Sequence, residues 1–109
     1  MHFSEAQRLI LACADRYSAR HKVALDKEFV LLKLVEEMGE FSQAVLTHAG
    51  KCRVEKRIPR ATAHAHMAEE LADVVGMAVL AARTLDIDLE AALEEKWFSR
   101  GRKHLSKKR

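Results

Sequence analysis

The sequence predicts an all-α protein, a four-helix bundle that assembles as a homo-oligomer. Three observations carry this. Nearly half of the 109 residues are apolar (49%), while aromatics are few and Pro59 is the single proline. That composition suits long helices and lacks the turn signals a sandwich needs every 8–12 residues. Apolar positions recur at spacings of three and four, the helical period. A chain of this size is near the low end of what buries a sufficient core alone, so part of the core is expected from a second copy.

Each element follows in turn. Phe3, Ala6, Ile10, Cys13 and Tyr17 form one stripe of a first helix, with Ser4 and Gln7 as a capping box at its start. The segment RHKVALD breaks the stripe, and Asp26 is placed to cap a second helix that runs to about Gly50, roughly 35 Å. Residues 50–61 (GKCRVEKRIPRA) have no period and carry Lys51, Arg53, Lys56, Arg57 and Arg60, so they read as a loop. A third helix is expected from near Thr62 to about Leu85. Asp86 or Asp88 then caps a fourth that ends near Gly101. Residues 1–109 form a single domain with a basic tail from about 101, and no internal repeat is visible.

Charge and cysteine usage bound the function. The net charge of +3 hides an asymmetry: from Lys96 onward there are seven basic residues and no acid, which leaves residues 1–95 at −4. The basic end reads equally as a nucleic-acid-binding tail or as a solvated terminus. Cys13 and Cys52 stand far apart without a CxxC pattern, no signal peptide opens the chain, and no apolar run approaches the ~18 residues of a membrane span. A reduced, cytoplasmic protein is expected.

The informative residues are acids in apolar seams. On the second helix Val30, Leu34, Phe41 and Val45 or Ala44 form the seam. Glu37 falls within it, and Glu40 is its neighbour one turn on. On the third helix Glu70 lies between Met67 and Val74, and Asp73 sits one turn before Met77. Two like charges about 4 Å apart repel by ~4 kcal/mol at an effective dielectric near 20. Four facing carboxylates therefore require protonation or a cation. An all-oxygen, highly charged ligand set selects a hard ion, Mg²⁺ or Mn²⁺. Gly39 and Gly76, each beside an acidic pair, suggest close helix approach or room for a ligand. Glu36 leans toward solvent beside Lys33, and Glu69 is placed as an outer group near Asp73. His64 and His66 lie on different helix faces, poor geometry for a shared metal, and are assigned to capping or solvent. Trp97, following Ala92 and Leu93, is expected in the core.

On these residues the chain resembles the MazG-like, all-α nucleoside triphosphate pyrophosphohydrolases. The family's ExxE…ExxD motif is matched by Glu37, Glu40, Glu70 and Asp73 across a spacer of 29 residues, with KLVEEMGE, EELADV and EEKW as matching surroundings. The resemblance covers roughly residues 28–100. It implies that the four acids bind Mg²⁺ (or Mn²⁺), that a triphosphate is cleaved between its α and β phosphates, and that Glu36 orients the attacking water. Lys96 corresponds to the family's phosphate-contacting lysine. Arg100 stands where related members carry Asn, and the end of helix two (VLTHAG) lacks a base-stacking tryptophan, so base preference is unreadable. Arg53, in the basic loop, and Lys33 join Lys96 and Arg100 as substrate-binding candidates. The partners expected are a nucleoside triphosphate and further copies of the chain, as dimer or tetramer. A phosphoribosyl-ATP pyrophosphohydrolase-like enzyme is the alternative within the architecture, and a nucleic-acid-binding module using the tail is the alternative outside it. A ferritin-like di-iron site is excluded because no Glu or Asp is followed three residues later by His.

Overall fold

A computed structural model describes residues 2–101; the tail beyond Gly101 lies outside them. The described residues form α1 (Phe3–His21), α2 (Lys27–His48), α3 (Arg60–Thr84) and α4 (Leu89–Leu93), with a 3₁₀ turn at Val54–Lys56 in the basic loop. Beyond Leu93 the fourth helix widens into a π-helical stretch, Glu94–Ser99. The all-α, four-helix expectation holds, and no strand occurs among the described residues.

Local chemistry explains the ends. Asp26 caps α2 by accepting from Phe29 N–H at 2.9 Å, and Asp88 caps α4 by accepting from Ala91 N–H at 3.0 Å. Ser4 does not cap α1: the helix starts one residue earlier, at Phe3, behind His2, whose side chain makes no capping bond. Asp86 has another task. It takes a left-handed φ of 54°, where Asp86 N–H reaches Arg83 C=O and Ile87 N–H reaches Ala82 C=O. Gly50 closes α2 by the same double bond pattern, with φ of 73°, while at the end of α1 Lys22, φ 55°, and Val23 both donate their N–H to Ser18 C=O. All three long helices thus end on a left-handed residue, α2 and α3 in full Schellman motifs, and two of these residues, Lys22 and Asp86, pay the Cβ cost of that conformation. Pro59 precedes α3, which begins at Arg60, two residues before Thr62.

The packing is a hairpin with one added helix. α2 and α3 run antiparallel over most of their length, from Val30 beside Leu80 and Ala81 at one end to the His48 and His64 rings, 5.8 Å apart, at the other. Val30 is fully buried, with Phe29, Leu34 and Met77 around it. α1 lies against α3 and is fixed there by a two-pronged pair, Arg83 to Asp15 at 2.8 and 3.0 Å. The Arg83 guanidinium holds the Asp15 carboxyl below the usual carboxylate range.

The fourth helix stands apart. It packs chiefly on its own π-helical continuation rather than on α1, α2 or α3. The radius of gyration is accordingly 17.2 Å, against ~13 Å for a compact chain of this length. Trp97, expected in the core, is 67% exposed, so no described residue covers the face that carries it. Leu32, Val35, Met38, Leu71 and Val75 are exposed as well. No described helix is long and apolar enough to cross a membrane.

Candidate metal centre

The antiparallel packing of α2 on α3 brings three of the four motif acids together. Glu37, Glu70 and Asp73 can each present one carboxylate oxygen so that all three lie within 4.8 Å of one another. Glu70 is largely enclosed, its side chain only 14% exposed, while Asp73 sits at the open edge. Glu40 is exposed, yet it acts on both enclosed acids. Glu37 is pushed above the ordinary carboxyl range first by burial and then by the charges of Glu40 and Asp73. Glu70 is raised by burial and by Glu40, with His66 opposing.

Two atoms show what the cluster lacks. Glu37 Oε2 and Glu70 Oε2 are buried and have no hydrogen-bond partner. A buried polar atom left unpaired costs on the order of 1–3 kcal/mol, more when charged. Carboxylates cannot satisfy one another while ionised. A cation between them would relieve the repulsion and both orphaned oxygens at once. The donor set, all oxygen and formally anionic, fits a hard divalent ion.

The remaining candidates are placed differently. Glu36 is exposed and bonded to Lys33 Nζ at 2.9 Å, outside the cluster. That bond raises the Lys33 ammonium above its ordinary value. Lys33 also stands 6.0 Å from the centre of the Phe29 ring. Arg53 faces Glu55 at 3.7 Å in the loop, and Arg100 faces Glu95 at 3.3 Å on its own helix. Lys96 is exposed on the π-helical stretch, an element that packs chiefly against α4. Glu69 is exposed.

One residue was assigned too little. His66 Nε2 lies 3.6 Å from Glu70 Oε1, an i,i+4 pair. The i,i+4 spacing of His66 and Glu70 is readable in the sequence, whereas the His64–His66 spacing of two says nothing of it. His64 packs on His48 instead. The glycines also resolve. A Cβ at Gly39 would meet nothing within 4 Å, and one at Gly76 only Ile10 Cγ2 at 4.0 Å, so close approach of helices within the chain explains neither.

An all-helical chain that gathers three carboxylates between two antiparallel helices has a donor set that fits a hard divalent ion. Residues 26–102 match the family model described as the MazG nucleotide pyrophosphohydrolase domain, most of the chain and all of α2 to α4. The protein therefore belongs to the MazG nucleotide pyrophosphohydrolase family. Neither a curated protein nor a solved structure gives a significant match.

Proposed function

We propose that the protein hydrolyses nucleoside or deoxynucleoside triphosphates to the monophosphate and pyrophosphate, with Mg²⁺ or Mn²⁺ held by Glu37, Glu40, Glu70 and Asp73. The observation that carries this reading is the pair of buried, unpartnered oxygens, Glu37 Oε2 and Glu70 Oε2, inside an acidic cluster. When bound, the ion neutralises phosphate charge and polarises the α-phosphorus. The chain's residues do the rest. The enclosed carboxylates of α2 and α3 fix where the α-phosphate sits. Glu36, free to exchange its exposed bond with Lys33, orients the water whose oxygen bonds to the α-phosphorus. The α–β bridging oxygen then leaves with pyrophosphate. Lys96, Arg100, Arg53 and Lys33 supply positive charge for a substrate with about four negative charges.

The active form is a homo-oligomer, dimer or tetramer, serving a cytoplasmic nucleotide pool. Exposed Trp97, Leu32 and Val35, together with the open shape of the single chain, support assembly. The test is a panel of ribo-, deoxy- and damaged triphosphates with Mg²⁺, resolving pyrophosphate from orthophosphate. Monophosphate plus pyrophosphate is expected. Diphosphate plus orthophosphate as main products overturns the reaction class.

A further inference from the structure

Four residues before the first acid of each motif pair stands a nitrogen donor, Lys33 before Glu37 on α2 and His66 before Glu70 on α3. At that spacing two side chains share a helix face and can meet. The two helices use the position differently. Lys33 Nζ is turned to Glu36, at 2.9 Å, while His66 Nε2 lies 3.6 Å from Glu70 Oε1. The imidazole touches a motif acid, and the ammonium bonds the residue beside one.

The His66 contact divides the two oxygens of Glu70. Oε1 faces the ring, whereas Oε2 is buried and has no partner. Glu70 also belongs to the trio, with Glu37 and Asp73, whose carboxylate oxygens can gather within 4.8 Å. A carboxylate free to turn about its last bond can offer a cation either oxygen, and that freedom is lost on binding. A donor on Oε1 makes the choice beforehand.

The kind of donor matters too. A neutral imidazole gives one N–H and adds no charge, so it can orient a carboxylate without competing with a cation for it. At 3.6 Å the contact is longer than a formed hydrogen bond, and the ring, 49% exposed, has the freedom to close it. Glu70, only 14% exposed, is shielded from water that could replace the ring.

We propose that His66 is a positioning residue of the metal centre: by holding Glu70 Oε1, it leaves the buried Oε2 as the oxygen that Glu70 offers a divalent cation. This role rests on the cation site proposed above, and not on the reaction that the ion serves. Outer groups that orient a metal's ligands are worth ~10–100-fold in affinity, and a half-exposed ring belongs at the lower end.

The probe is Mn²⁺, whose free ion is followed by electron paramagnetic resonance in full-length protein at a single pH of 8. Wild type is compared with His66→Ala, His66→Phe and His66→Gln, with Asp73→Asn as the variant that loses a ligand. His66→Ala is expected to weaken Mn²⁺ binding ~10-fold. His66→Phe keeps a ring without a donor and should weaken it as much. His66→Gln restores an N–H at the same spacing and should bind like wild type. Metal-free melting temperatures of the three His66 variants should stay within ~3 °C of wild type, which separates positioning from loss of fold. Unchanged affinity in His66→Ala, full affinity in His66→Phe, or no rescue by His66→Gln overturns the role.

Hydrolysis supplies a second readout. The Mg²⁺ concentration giving half-maximal rate should rise ~10-fold in His66→Ala, with the rate at saturating Mg²⁺ unchanged. A lower saturated rate at an unchanged Mg²⁺ requirement places His66 in the reaction itself and overturns positioning. Wild-type protein that binds no Mn²⁺ overturns the cation site, and the role of His66 with it. Weaker Mn²⁺ binding in His66→Ala, in a protein without hydrolytic activity, breaks the functional reading and leaves the role of His66 intact.

Discussion

The α2–α3 hairpin and the fourth helix are both incomplete, in different ways. The hairpin is well packed around Val30, Leu80 and Ala81, and what it lacks is charge neutralisation at one point along its length. The fourth helix is well capped at Asp88, and among the described residues it packs chiefly on its own continuation, leaving Trp97 and Phe98 exposed. In the reading proposed above, the first gap takes an ion and the second takes protein. Opposite physical deficits in one short chain mean that a single change should disturb one region and spare the other.

The largest expected effect lies in the hairpin. Asp73→Asn and Glu40→Gln are expected to remove turnover, since a catalytic metal supplies several kcal/mol of charge stabilisation. The fold should survive, and the gain in melting temperature on adding Mg²⁺ should shrink, because that gain follows the ion's affinity for the folded state. Full activity in Asp73→Asn with an unchanged Mg²⁺ shift would reduce the cluster to a solvated face.

Acid comes next. Glu37 and Glu70 are raised in the folded state, so the folded protein holds protons more tightly there than the unfolded chain does. Without metal, their contribution to stability is complete below the ordinary carboxyl value. It is lost as pH rises through the raised values. Bound metal reverses this, because only the ionised acids bind it. Melting curves from pH 4 to 8 are expected to show the Mg²⁺ shift fading toward acid, starting above the ordinary carboxyl range. A shift that is flat across this range contradicts the role given to these two acids.

Glu36→Gln should cost less, ~100-fold in rate at the low end of what a positioned base contributes. It should keep the Mg²⁺ shift, since Glu36 lies outside the cluster. Loss of that shift would move Glu36 among the ligands. The smallest effect belongs to the other region: Asp88→Ala removes a cap worth ~1 kcal/mol to α4. Sedimentation should show weaker association, while the Mg²⁺ shift of the hairpin stays as it was. An altered shift with unchanged association would erase the contrast between the two regions.

What was legible in the sequence follows the reach of each signal. Helix identity and most boundaries came from the apolar period and from short-range caps such as Asp26 and Asp88, which act within four residues. The acids stood out because Glu37 and Glu70 interrupt apolar seams, and antiparallel packing then brought them together. The starting cap of α1 was misread, because a capping box at Ser4 is a pattern of residue types and says nothing of whether the chain turns one residue earlier. Trp97 was misplaced for a deeper reason. Helical periodicity shows that a face is apolar, but not whether its own chain covers it. The groove that Cys13 and Gly76 line between α1 and α3 left no trace in the sequence, since it is made by the angle at which α1 meets α3.

The two orphaned oxygens also bear on how this protein responds to selection. Laboratory evolution for heat resistance in a metal-free medium rewards whatever removes unpaired buried charge, and Glu37 and Glu70 are where the folded chain has most to gain. Uncharged replacements should accumulate there early, and each hardened survivor should be inert. Screening in the presence of the cation turns the same positions from liabilities into anchors, so the choice of buffer decides whether such an experiment yields a sturdier enzyme or a sturdy bundle with no chemistry.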